Sequence, residues 1–133
     1  MATLRYERRV DAPADVVWDV VGDPASISEW FPGIVSCDVE GTRRTIRTAT
    51  GLEMPEEILA NDSIRHHFAY RITAPIYRFH LGTIDVEAID ESSSTCVYET
   101  TAVPDVLALI IGGATIGALR EIGRLAEARF EHR

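Results

Sequence analysis

The chain opens on a strict alternation. Leu4, Tyr6, Arg8 and Val10 fall on one face of residues 3–10, and Thr3, Arg5, Glu7 and Arg9 fall on the other. This is the period of a half-buried strand with one charged intruder, Arg8. The period then lengthens. Pro13 suits the first turn of a helix and Asp15 favours the same helix start, with Val16, Val17, Trp18 and Val20 as its apolar stripe. Gly22 predicts the end of that helix. Asp23 and Pro24 predict the start of a second short helix, and Trp30-Phe31-Pro32-Gly33 predicts its stop.

Beyond Gly33 the period returns to two. Val35, Cys37 and Val39 oppose Ser36, Asp38 and Glu40, and residues 43–49 read as the partner strand. A strand over 52–59 shares one face among Met54, Glu56 and Ile58, then turns through Ala60-Asn61-Asp62 into a strand over 63–73. There Ile64, His66, Phe68, Tyr70 and Ile72 face inward, because Arg65, His67 and Arg71 take the opposite face. Residues 79–89 turn Ile84, Val86 and Ala88 inward. The same phase carries His80 and Gly82 inside unless a bulge at Gly82 reverses it. The last strand, 95–103, is read with Val97, Glu99, Thr101 and Val103 inward, and Asp105 opens a helix to about Phe130.

The uncharged run Val106–Leu119 is short of the roughly 20 apolar residues of a membrane span, so it reads as a buried core helix without stable membrane insertion. Six or seven antiparallel strands, two short helices and one long helix make a single α+β domain over residues 1–133.

Charge narrows the function. The formal net charge is −8, which disfavours a nucleic-acid partner. All 13 basic residues are arginine. Schiff-base chemistry and a phosphate-binding P-loop therefore lack their lysine. Cys37 and Cys96 need no disulfide framework, and a reduced, cytoplasmic setting is expected. No Cys or His cluster has metal-ligand spacing. His66 and His67 are adjacent on a strand and face opposite ways, so no metal and no cofactor is expected.

The first strand, Ala12-Pro13-Ala14-Asp15-Val16-Val17-Trp18, Asp23-Pro24, Trp30 with Pro32, the Tyr70 strand and the Gly-bearing last helix together resemble the helix-grip superfamily. That superfamily includes START domains, birch-pollen allergens and polyketide cyclase/dehydrase-like proteins. The resemblance spans the whole chain. It implies a curved sheet wrapped around the long helix, with a cavity between them for a small, mostly apolar molecule such as a lipid, polyketide or isoprenoid-like compound. It also leaves open a cyclase/dehydrase- or aromatase-type enzyme, and a protein-interaction module. The lysine that anchors carboxylate ligands in plant receptors of this fold has no counterpart here.

In that fold His66, Tyr70, His80 and Glu99 would converge on one cavity, with His80, Glu99 and Tyr70 as candidate acid–base groups. Glu99 paired with Arg8 is the structural alternative. Met54, Glu56, Ile58, Phe68 and Ile84 are the expected wall. Trp30 and Phe31 read either as a lid or as a hydrophobic plug. An entrance is expected between Trp30–Gly33 and Leu109–Gly113, where Gly112 and Gly113 give either softness or close packing.

Overall fold

All strand pairings are antiparallel, and the sheet closes around the last helix. The computed structural model describes residues 1–132. Its elements run β1 (Ala2–Val10), α1 (Ala14–Val21), a single 3-10 turn (Pro24–Ser26), α2 (Ile27–Trp30), β2 (Ile34–Glu40), β3 (Arg43–Thr48), β4 (Glu53–Asp62), β5 (His67–Ile72), β6 (Phe79–Ala88), β7 (Ser94–Val103) and α3 (Asp105–Glu131). The seven strands lie in the order β1-β7-β6-β5-β4-β3-β2. This is the expected helix-grip α+β architecture.

Local chemistry explains the boundaries. Gly41 and Gly51 take positive φ (62° and 87°) at the β2–β3 and β3–β4 turns, a region that L side chains avoid. Asp23 caps the 3-10 turn through the Ala25 N–H at 3.1 Å, with Pro24 at its first position. On β1 and β6 the phases match the sequence reading. The register of β6 on β7 is continuous from Phe79 to Ala88, so no bulge at Gly82 turns His80 outward.

Three expectations are corrected. The turn after β4 comes later than Ala60–Asp62. Asp62 Oδ1 accepts from the N–H groups of Ile64 and Arg65, both at 3.0 Å, and His66 takes φ 54°. This side-chain turn leaves Ile64 92% exposed instead of inward. A register shift between Ile34 and Ser36 breaks the alternation of β2 and leaves Val35 exposed. The phase of β7 is inverted. Cys96, Tyr98, Thr100 and Ala102 are the buried row facing the helix, so Glu99 faces away from it.

Helix α3 turns a row of mostly small residues to the sheet: Ala108, Gly112, Thr115, Ala118, Leu119, Ile122 and Ala126. It packs on β1, β7 and α1, so it covers one side of the concave face. Small residues set how closely it sits. A Cβ on Gly112 would run into the Leu4 side chain, and one on Gly117 would come within 2.9 Å of Pro32. Gly113 has open space around it. Close packing therefore accounts for Gly112, and the interpretation of Gly112–Gly113 as one soft pair does not hold.

The two glycines should separate in unfolding measurements. Gly113→Ala is expected to stabilise by up to about 1 kcal/mol through helix propensity alone. Gly112→Ala should lose that gain because Leu4 has to move. Equal stabilisation by both, read from denaturant midpoints, would contradict the packing role.

Candidate functional site

The side of the concave face that α3 leaves uncovered is built from β3, β4 and β5. Alternation sends Arg44, Ile46 and Thr48 inward from β3, Met54 and Glu56 from β4, and Phe68, Tyr70 and Ile72 from β5. Arg44 and Glu56 are direct cross-strand partners. They are only 2% and 3% exposed, and Arg44 Nε donates to Glu56 Oε1 at 2.8 Å.

A buried guanidinium needs more than one partner. Arg44 Nη1 donates to the Pro24 carbonyl at 2.9 Å, and its carbon centre lies 4.8 Å from the Tyr70 ring and 5.3 Å from the Phe68 ring. Both rings offer it cation–π contact. Burial nevertheless pushes the Glu56 carboxyl above its ordinary range, against the pull of Arg44.

Tyr70 lies flat across Gly82 of β6 and reaches β7 on the same concave face. A Cβ on Gly82 would sit 2.5 Å from Tyr70 Cζ, so glycine is required beneath the ring. The Tyr70 hydroxyl meets the Tyr98 hydroxyl at 2.5 Å. Burial raises both phenols well above 10, so the pair is protonated at neutral pH.

His80 is 4% exposed and stands behind Tyr70 and Tyr77, its ring 5.5 and 5.4 Å from theirs. Its Nδ1 accepts the Ile72 N–H at 2.9 Å, and burial lowers its pKa to about 4. A neutral imidazole that accepts at Nδ1 carries its proton on Nε2. That buried Nε2 has no hydrogen-bond partner among the described residues.

Of this set Glu56 and Tyr70 floor a cavity of about 330 Å³, while Arg44, Phe68, His80 and Tyr98 are not among its lining residues. Phe31, Pro32, Gly33 and Ile34 wall one side, Ile46, Met54, Glu56, Tyr70 and Ile72 the sheet side, and Ile110, Ile111 and Ala114 the helix side. Among the described lining residues Glu56 is the one charged side chain. The arrangement can desolvate an apolar body and offer its polar end a buried carboxyl and a phenol.

Of the residues expected here, Phe31, Met54, Glu56 and Tyr70 line the cavity. Trp30 does not. It is buried in the core, donates through Nε1 to Ser26 Oγ at 3.0 Å and packs edge-on against Tyr98, so it is the plug and Phe31 the cover. Phe68 and Ile84 are core residues, and Ile58 packs at the core margin. His66 is drawn off by the turn and stacks on Trp18 at 5.4 Å, away from the lining.

Glu99 sits on the other face, in register with Arg5 and Thr83, which removes it from the acid–base set. Its expected partner Arg8 is in register with Cys96 and extends towards Gly123 of α3. Leu109 and Gly113 are on the exposed side of α3; Ile110, Ile111 and Ala114 are the lining residues of that helix. Arg44, Tyr77 and Tyr98 were missed. The alternation Arg44-Ile46-Thr48 was the available signal for the first.

A sequence profile described as polyketide cyclase / dehydrase and lipid transport matches residues 1–129. The chain belongs to that family. Among curated proteins none matches it. Solved structures share its fold over nearly all of its length. The protein XoxI from Bacillus cereus is 22% identical, with a TM-score of 0.88 and complete coverage of both chains. The ZhuI aromatase/cyclase from a Streptomyces species is 21% identical, with a TM-score of 0.76, covering 96% of this chain and 95% of its own. Norcoclaurine synthase from Thalictrum flavum is 20% identical, with a TM-score of 0.75, covering 93% and 85%.

Two measurements test the floor of this cyclase/dehydrase-family cavity. Arg44→Met should cost about 3–5 kcal/mol, because it strands the Glu56 carboxyl in the interior. Adding Glu56→Leu should recover most of that loss in denaturant unfolding. His80 gives a pH signature. Its folded pKa of about 4 lies below the ordinary 6.5, so the unfolded chain binds the extra proton between these values. Stability from this group is complete above pH 6.5 and falls as pH drops towards 4, by on the order of 3 kcal/mol. His80→Asn keeps an acceptor for Ile72 and should flatten that part of the stability–pH curve.

Proposed function

We propose that the protein binds a small, mostly apolar molecule of the lipid, polyketide or isoprenoid kind in the cavity between β3–β5 and α3. The observation that carries this reading is the wall itself: about 330 Å³ lined mostly by aliphatic and aromatic side chains, with Glu56 as the one charged group among the described lining residues. Cavities of roughly 300–1,000 Å³ with few polar anchors suit such ligands. The polar end of the ligand would meet Glu56 and Tyr70. The family description, which includes lipid transport, supports the same reading. Cys37 and Cys96 are free thiols, which fits a reducing compartment such as the cytoplasm.

A second reading rests on Glu56. A carboxyl whose pKa burial has raised, set beside a protonated phenol in an apolar cavity, has the character of a general acid. An aromatase/cyclase is among the structures that share the fold. Under this reading Glu56 takes the acid–base role that the sequence pattern points to at Glu99.

Native mass spectrometry of the purified protein should detect a bound small molecule, and titration with the neutral fluorophore Nile red should saturate. Ala114→Phe, which fills the helix side of the cavity, should weaken Nile red binding by about tenfold or more without lowering the unfolding midpoint. Unchanged affinity would rule out this cavity as the binding site. Glu56→Gln separates the two readings: binding retained with turnover lost supports catalysis, and binding altered with no turnover in either form supports carriage.

A further inference from the structure

The sheet is not sealed along its whole length. β5 and β6 pair from His67 opposite Asp85 to Tyr70 opposite Gly82, and no farther. Beyond that point the Ile72 N–H is taken by the His80 side chain instead of by the β6 backbone. The strands separate there, and a second cavity of about 550 Å³ lies along the seam. Its walls are the apolar Leu59, Phe79 and Leu81 together with Arg71 and Arg78. Leu59, Phe79, Leu81 and Arg71 alternate with inward residues, so this compartment opens on the convex side. Ile72 and Tyr77 line both cavities and form the partition between them.

The cations here are unequal. Arg71 is engaged with Glu57 at 2.9 Å. Arg78 has no ion pair among the described residues, in a chain of net charge −8. Its backbone is held, because its N–H donates to the Val103 carbonyl at 2.9 Å, while Thr73 at the other end of the loop is tied to Pro55. The short segment between, which carries Tyr77, is held by backbone hydrogen bonds at these ends and in its own turn, and by the contact of the Tyr77 ring with His80. His80 also lines this compartment, and its buried Nε2–H is a donor without a partner.

We infer that the β5–β6 seam is a second binding compartment, which holds the carboxylate of an elongated apolar acid against Arg78 while its chain passes Tyr77 into the main cavity. The inference rests on the binding reading above and names the ligand class more narrowly. A carboxylate fits better than a phosphate. One unpaired guanidinium matches one carboxylate in a two-point contact, and the negative field of the protein opposes a dianion.

The test is displacement of Nile red by decanoic acid and by decanol, in the wild type and in Arg78→Gln. The acid should displace at about tenfold lower concentration than the alcohol in the wild type. Arg78→Gln should remove that preference by weakening the acid alone, and salt of roughly 0.5 M should reduce it. Equal potency of acid and alcohol in the wild type, or equal weakening of both in the variant, would overturn the seam site and leave the apolar cavity standing. If neither compound displaces a bound probe, or no probe binds, the binding reading falls and the seam with it.

Discussion

A guanidinium held out of water organises the cavity side of the sheet. Arg44 cannot shed its charge, and in the interior its desolvation has to be offset by everything around it. The Glu56 carboxylate, the Pro24 carbonyl and the faces of Tyr70 and Phe68 supply that offset. One side chain thereby ties β3 to β4, β5 and the 3-10 turn before α2. The tie also fixes the cavity floor. Glu56 is aimed by its bond to Arg44, and Tyr70 is clamped between the guanidinium, Gly82 and Tyr98. An apolar pair would pack the same space and could be as stable or more so. What it would not supply is a carboxyl that stays buried and oriented, with its pKa raised by burial, within an otherwise apolar wall.

The cavity above this floor exists because α3 lies off the centre of the sheet. Its small residues draw it down onto β1 and β7, with Gly112 under Leu4 and Gly123 against Arg8. On the other side it presents Ile110, Ile111 and Ala114 across a gap to β3–β5. Close approach on one edge and separation on the other follow from the same helix. The Gly117–Pro32 contact carries the Phe31–Ile34 segment against α3 and makes it a wall of the cavity.

How much of this the sequence carried depends on how one-sided each element is. On β1 charges occupy most of one face, and on β6 Asp85 and Glu87 mark the outer row, so the alternation of Leu4, Tyr6 and Val10, or of Ile84 and Val86, has one solution. β7 offered two. Val97 and Val103 on one row compete with Cys96, Tyr98 and Ala102 on the other, and Val97 is itself buried on the convex side. Reading the row of Val97, Thr101 and Val103 as inward puts Glu99 inside and Tyr98 outside. Arg44 was hidden for the opposite reason. A hydrophobic period treats a charge at an inward position as noise, and only the cross-strand register brings Glu56 opposite it. The turn at Asp62–His66 was invisible to periodicity because Ile64 and His66 kept the right spacing. An aspartate accepting two N–H groups overrode it.

The opening of the seam and the floor of the cavity have a common origin. Tyr70 can cross to Tyr98 only because Gly82 has no side chain, and Gly82 is where the β5–β6 ladder ends. One pair farther along, a backbone bond between Ile72 and β6 would close the sheet. The His80 imidazole satisfies the Ile72 N–H from the concave side instead, so the strands part without leaving that donor unpaired. For this the ring has to be neutral at Nδ1, and burial behind Tyr70 and Tyr77 keeps it so. His80 was placed inside by the sequence as a candidate base. Its position gives it a different physical role, because it ends a strand pairing and leaves Nε2–H beside the partition that both cavities share.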